Sequence, residues 1–417
     1  MSRQDKRKVI HRNIFLGTSV VLAFAIPVWK GLLPLLIVFM VVNWLAEGAY
    51  IRNFPLIFKD QKRFFIFSFS FLYFLYLAGL AYTSNLVYGT EDLQMKLSLL
   101  IFPLIFATSD FPLFSEKETG IILKAFAAGC IAGSFILLGR AFYFRVFMHE
   151  PDAFYYTKLG WNFHPSYYSM YLAFAVSNIL SFQFMRLGVK ITLNLVMHVL
   201  LLLFFTLMIV LLSSKSGFLV WLLVLAFYAF LIFVRYRQKI TGVSLVLSAL
   251  CIFVFFNIVF PHATSRLASM KMESVSTDAI DDAGRSTSER IIIWKSAAHV
   301  IKQNFLFGVG TGDVRDKLTE EYENEHVLAE LIHYRNAHNQ YFQTWIALGI
   351  LGLLLLAFMI IRPAVYAIRQ EHHIYFIFLF IVGFSMLFES MFERQEGVVF
   401  YVFFNTLLFT TQGKNPE

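Results

Sequence analysis

Six side chains able to move a proton or grip an anion stand out in a mostly apolar chain: His164, Lys215, Arg290, Arg335, His338 and Asn339. His338 and Asn339 open the run H-N-Q-Y-F-Q-T-W-I-A-L-G-I-L-G, just after Arg335. A histidine at a membrane interface can accept a proton near neutral pH, and a nearby cation favours the neutral imidazole that a base requires. On spacing alone, His338 serves equally as a helix cap anchored in the headgroups. Arg290 falls in the first turn of a predicted helix. Its planar fork suits a phosphate or pyrophosphate, or else it is a solvated helix charge. Lys215, in S-S-K-S-G, either snorkels to the surface or pairs with an anionic lipid head. His164 precedes Pro165, an ordinary helix-start proline, in F-H-P-S-Y-Y-S-M-Y. The cluster Tyr167, Tyr168 and Tyr171 reads as interfacial packing or as a contact for a sugar or isoprenoid. G-V-G-T-G at 308–312 lacks a preceding strand and the G-x-G-x-x-G spacing, so it reads as a tight turn that returns the chain to the membrane.

The elements that must position these residues are membrane helices. Hydrophobic residues make up 58% of the 417 and charged ones only 15%, against roughly 25% charged in a soluble domain. The apolar excess is broken into pieces of about 16–24 residues, the length that crosses a bilayer as a helix. The reading is an all-α polytopic membrane protein with about twelve spans, at 13–29, 31–46, 64–82, 93–109, 119–140, 165–183, 191–213, 217–234, 241–260, 338–361, 374–390 and 397–413. The net charge of +8 comes from short loops between spans, which indicates topology and not a nucleic-acid footprint. Arg52, Lys59, Lys62 and Arg63, then Arg186 and Lys190, then Arg235, Arg237 and Lys239, then Arg362 and Arg369, put those loops and both termini in the cytoplasm. Cys130 and Cys251 fall inside expected spans, which argues against a disulfide framework. The basic N-terminus reads as an uncleaved first helix, because no small-residue cleavage site follows it.

The chain divides into 1–260 with nine spans, an outer loop at 261–337, and 338–417 with three more. The outer segment 141–164 is aromatic, as an interfacial belt requires. In the outer loop, Ser286 and Glu289 fit a capping box. A helix is expected from near Thr287 to about Gln303, with Ile291, Trp294, Ala298 and Ile301 on one face. Asn304 and Gly308 would end it, and a second polar helix is expected over 313–333.

Taken together, S-S-K-S-G, then R-I-I-I-W-K-S-A-A with N-F-L-F-G-V-G-T-G, then H-N-Q-Y-F-Q-T-W-I-A-L-G-I-L-G, resemble the O-antigen ligase and polymerase superfamily. These are bacterial membrane glycosyltransferases of the GT-C type. F-H-P-S-Y-Y-S-M-Y is similar to a stretch seen in some members. The resemblance covers residues 162–352, and the first five spans match only in hydropathy. It implies transfer of a glycan from an undecaprenyl-pyrophosphate donor on the periplasmic face of the inner membrane. The acceptor would be lipid A-core in a ligase, or another lipid-linked repeat in a polymerase of O-antigen or exopolysaccharide. It implies an inverting, metal-independent reaction without a cofactor, with lipids and no nucleic acid as partners. His338 would activate the acceptor hydroxyl, and Arg290 and Lys215 would hold the pyrophosphate. Arg335, Asn339 and His164 complete the expected substrate contacts. Lys215 departs from the arginine common in the family, keeping the charge but losing the fork. The rival reading, a transporter of lipid-linked sugars, requires matching interrupted helices in two halves, and the halves look unlike.

Overall fold

The computed structural model describes residues 3–110, 114–184, 193–235, 237, 254–255, 258, 282–324 and 336–411. Among these the chain is helical and carries no strand. Its main helices are α1 (Arg3–Ala25), α2 (Leu33–Glu47), α3 (Gln61–Ser68), α4 (Phe71–Gly79), α5 (Leu86–Lys96), α6 (Ser98–Thr108) and α7 (Glu116–Phe147). They continue with α8 (Pro165–Phe184), α9 (Leu193–Leu211), α10 (Lys215–Phe230), α11 (Asp282–Gln303), α12 (Val314–Asn324), α13 (Gln340–Arg369), α14 (His373–Ser385) and α15 (Gln395–Thr410).

Five helices among the described residues are long and apolar enough to cross a membrane: Lys30–Glu47, Gln61–Tyr82, Glu116–Phe147, Lys215–Arg235 and Gln340–Arg369. Val196–Leu211 and His373–Ser385 are apolar but shorter. Each expected span overlaps a helix except 241–260, of which only Val254, Phe255 and Ile258 are described, and the span expected at 374–390 outruns its helix, which ends at Ser385. The stretch expected as one span at 93–109 is divided between the end of α5 and α6, because the chain turns between Lys96 and Ser98.

The chain groups into two compact units. The first holds residues 1–126, 289–379 and 386–417. Its centre is α15, every residue of which is buried from Glu396 to Thr410, as a helix apolar on all sides requires. Rings surround it. Phe126 packs on Phe404 at 5.0 Å, Phe102 on Phe403 at 5.6 Å and Phe65 on Phe409 at 4.7 Å. The amide of Asn405 inside this core is satisfied: it accepts from the Tyr375 hydroxyl and donates to Tyr401, whose hydroxyl donates to the Met359 carbonyl. Buried polar groups are tolerated when they are bonded in this way.

The second unit holds residues 127–288 and 380–385. There α8 packs on α9 and α10, and residues 165–180 are buried throughout. Tyr167, Tyr168 and Tyr171 belong to this packing, with Tyr168 against Phe163 at 5.4 Å and its hydroxyl on the Cys130 carbonyl.

Helix α11 starts at Asp282, ahead of the expected start near Thr287. A capping box requires non-helical backbone at its first residue, and here Ser286 already lies inside the helix. The buried stripe is Ile293, Ala297 and Val300 with Ile301, whereas Ala298 is exposed. The period is as expected, but its phase follows the neighbouring helix. Helix α11 ends at Gln303 as expected, and Asn304 folds back on the Val300 carbonyl.

Candidate active site

The two glycine-rich motifs lock together in the first unit. Helix α13 breaks at Gly349, whose φ of 66° and ψ of −164° are non-helical. In an unbroken helix the Ile350 N–H would bond the Ile346 carbonyl. Instead it donates to the Phe305 carbonyl at 3.0 Å, and the Ile346 carbonyl accepts from Val309 at 2.8 Å. The Ala347 carbonyl likewise accepts from Gly310 at 3.0 Å. Segment 305–310 therefore takes up the backbone groups that the break releases. This close approach requires glycine on both sides. A Cβ on Gly349 would lie 2.1 Å from the Leu306 oxygen, and one on Gly308 would lie 2.6 Å from the Ala347 carbonyl. The expected tight turn is thus a clasp between α11 and α13. Its far end is tied as well, since the Asp313 carboxylate accepts from Ser84 and Asn85 N–H.

The clasp sets α11 beside the first turns of α13. Trp294 wedges between Phe342 and Phe388, each with ring centroids at 6.4 Å. Four residues before Trp294 is Arg290, four before Phe342 is His338, and next to Phe388 is Glu389. These three meet. Arg290 Nη2 donates to Glu389 Oε1 at 2.7 Å, and His338 Nδ1 lies 3.5 Å from Glu389 Oε2. The Glu389 side chain is only 7% exposed, while those of His338 and Arg290 are 19% and 22% exposed. One buried carboxylate therefore bridges two partly accessible groups.

Local structure fixes this arrangement. Asn339, not His338, caps α13, its side-chain oxygen accepting from Tyr341 N–H at 2.9 Å and Phe342 N–H at 3.1 Å. That leaves the imidazole out of the capping role. His338 has φ of +44°, a left-handed conformation that non-glycine residues adopt at some cost. Its neighbours hold it there. Ala337 N–H donates to the Gln343 side chain, His338 N–H to Asn336, Asn339 N–H to the Ser390 hydroxyl, and Gln340 N–H to the Met386 carbonyl. The Gln340 side chain in turn accepts from Phe392 N–H at 2.6 Å. Strain held by surrounding bonds is common where side chains are aimed at a ligand.

Of the six expected residues, Arg290, His338 and Asn339 come together in this unit. Arg335 lies outside the described residues. His164 and Lys215 belong to the second unit, at the starts of α8 and α10. Those two starts are joined there, because the hydroxyls of Ser214 and Ser166 are 3.1 Å apart. Ser214 caps α10 through the Gly217 N–H, after Ser213 turns the chain with φ of +48°.

Glu389 is absent from the sequence-derived set. It falls inside an expected span, 374–390, whereas α14 ends at Ser385 and the chain then turns through 386–394, with a short 3-10 helix at Met391–Glu393. The signal was an acid within an apolar run, which in a membrane protein marks a functional position.

A family model described as O-antigen ligase matches residues 199–357, a stretch that contains the glycine clasp, Arg290 and His338. Over those residues the match supports a place in the O-antigen ligase and polymerase superfamily. Glu389 lies beyond the matched stretch. An uncharacterized protein of Haemophilus influenzae (strain ATCC 51907 / DSM 11121 / KW20 / Rd) is 24% identical over 105 residues, or 25% of this chain. The chain spans 26% of that relative's length.

Proposed function

We propose that this O-antigen ligase family protein transfers a glycan from an undecaprenyl-pyrophosphate donor to an acceptor hydroxyl. The transfer occurs on the periplasmic face of the inner membrane, in surface-polysaccharide assembly. The observation that carries this reading is the Arg290–Glu389–His338 bridge. With Nδ1–H directed at Glu389, His338 takes the proton at Nε2. The acceptor oxygen then attacks the sugar carbon bonded to phosphate, from the face opposite the leaving group. A new glycosidic C–O bond forms, the C–O bond to phosphate breaks, and undecaprenyl pyrophosphate leaves with the bonding pair. The acceptor proton passes to His338, where Glu389 stabilises the imidazolium and holds its orientation. Arg290 is fixed by one donor to Glu389 and keeps others for the departing pyrophosphate.

The second unit carries its own candidate for a phosphate contact. Lys215 stands at the N-terminus of α10, where an ammonium and the positive end of the helix dipole both favour an anion, and the start of α8 after His164 is alongside. The acceptor is lipid A-core in a ligase or a lipid-linked repeat in a polymerase, and both termini are cytoplasmic.

The test is release of undecaprenyl pyrophosphate by purified protein given donor and acceptor. Wild type should turn over, and His338→Ala should stay folded and inserted but lose about 10²–10⁴ in rate. Activity of His338→Ala within about threefold of wild type would remove the base from this scheme. In a deletion strain, loss of all long chains from lipid A-core indicates a ligase, and a single capping repeat indicates a polymerase.

A further inference from the structure

The first unit holds a second buried charge cluster that the reaction above does not use. The Lys96 side chain is fully buried and its ammonium bonds two carboxylates, Asp92 one turn earlier on α5 and Glu393 at 3.0 Å. The ammonium also lies 4.7 Å from the centre of the Tyr76 ring on α4. Tyr88 on α5 closes the cluster, with Arg315 of α12 at 6.0 Å over its ring. The polar groups of Thr311 and Gln343 complete the lining. One buried cation therefore faces two carboxylates, and full ionisation leaves an uncompensated negative charge, which burial strongly disfavours.

Glu393 sits on the same turn as Glu389. Among the described residues that turn is held at four places: Met386 and Phe392 bond Gln340, Ser390 bonds Asn339, Glu389 bonds Arg290 with His338 at 3.5 Å, and Glu393 bonds Lys96. The first two anchors are uncharged. The third belongs to the reacting site itself, and the fourth is the charged anchor outside it.

We propose that Lys96, Asp92 and Glu393 form a proton-operated latch that positions the Glu389 turn against Arg290 and His338. Asp92 and Lys96 share one helix and stay together, so the movable partner is Glu393. With Asp92 protonated, the ammonium is wholly available to Glu393 and the turn is clamped. With Asp92 ionised, two carboxylates compete for one ammonium and repel each other, and the turn is loosened. Burial drives the Asp92 carboxyl up to about 7, against the pull of Lys96 and with the push of Glu393. A carboxyl raised in this way holds its proton below that range and gives it up above. The latch is therefore closed at acidic pH and opens as the pH rises through about 7.

The inference rests on the reading of Glu389 as part of the reacting site, but its first test is independent of activity. Hydrogen exchange of residues 386–393 is followed in the full chain, at exchange times scaled for the intrinsic effect of pH. In wild type, protection should fall as pH rises through about 7. In Asp92→Asn, which keeps the ammonium and the side-chain shape, it should stay high throughout. Lys96→Met should lack protection at every pH. Transfer rates should follow the same pattern, with Asp92→Asn losing the alkaline fall seen in wild type. If Asp92→Asn loses protection with pH as wild type does, or if wild type shows no change, the latch is refuted. A wild type that fails to transfer glycan defeats the proposed reaction and leaves the exchange result to decide the latch.

Discussion

Glu389→Gln separates the proposed chemistry from simple packing, because the substitution keeps the shape and removes the charge. Glu389 presents one oxygen to Arg290 at 2.7 Å and the other to His338 at 3.5 Å. Opposite charges about 4 Å apart interact by about 4 kcal/mol at an effective dielectric constant near 20, which suits sites close to the protein surface. That interaction exists only once His338 carries the acceptor proton, so its loss raises the barrier and not the ground state. At about 1.4 kcal/mol per factor of ten, Glu389→Gln should lower kcat by roughly 10²–10³. Glu389→Asp, shorter by one methylene, should recover part of this. The assay is single-turnover release of undecaprenyl pyrophosphate from protein in nanodiscs, with melting temperature measured in parallel. If Glu389→Gln turns over within about threefold of wild type at unchanged stability, the carboxylate is structural and the base needs another partner.

Arg290→Ala should weaken use of the donor, since a charge-assisted hydrogen bond contributes roughly 1.5–3 kcal/mol. Arg290→Lys should restore only part, and normal turnover of the alanine variant at limiting donor would make the arginine a surface charge. Gly349→Ala should destabilise the chain by several kcal/mol, combining about 1–3 for overpacking with about 1–2 for a left-handed residue. Gly139→Ala, which meets nothing within 4 Å, should be neutral in the same thermal-melt assay, and equal melting of the two variants would disprove the clasp. Reporter fusions after residues 50, 188 and 238 should score cytoplasmic, and those near 150 and 280 periplasmic. A cytoplasmic signal at 280 would put the proposed site in the wrong compartment.

The helices were legible because a bilayer leaves the backbone few choices. A run such as G-I-L-G-L-L-L-L-A-F-M-I-I between polar ends spans as a helix or not at all. Helix phase was less legible, since the stripe of α11 is fixed by what packs against it. The pairing of Arg290 with His338 could be expected only from the order of motifs, and its geometry could not. Gly308 and Gly349 lie far apart in sequence, and each alone reads as an ordinary turn or helix glycine. Only the exchanged bonds at Ile346 and Ile350 reveal why both are required. Glu389 was hidden for a different reason. Hydropathy carried the expected span through it, because Met386, Leu387 and Phe388 are as apolar as the helix before them, while the chain actually turns after Ser385.

Placing Glu389 between the two cationic groups also answers an electrostatic objection to the sequence reading. A cation beside a histidine keeps the imidazole neutral, as a base must be, but it penalises the imidazolium that the reaction creates. With Arg290 alone, proton transfer would raise the local charge from one positive to two. With Glu389 ionised between them, the charge passes from zero to one. The carboxylate therefore lets a fixed cation and a working base share a small, partly buried site. It also accounts for the burial pattern, with the bridging acid shielded and both partners open to substrate. A site with only arginine and histidine could bind a pyrophosphate, but it would resist the proton that the proposed transfer must remove.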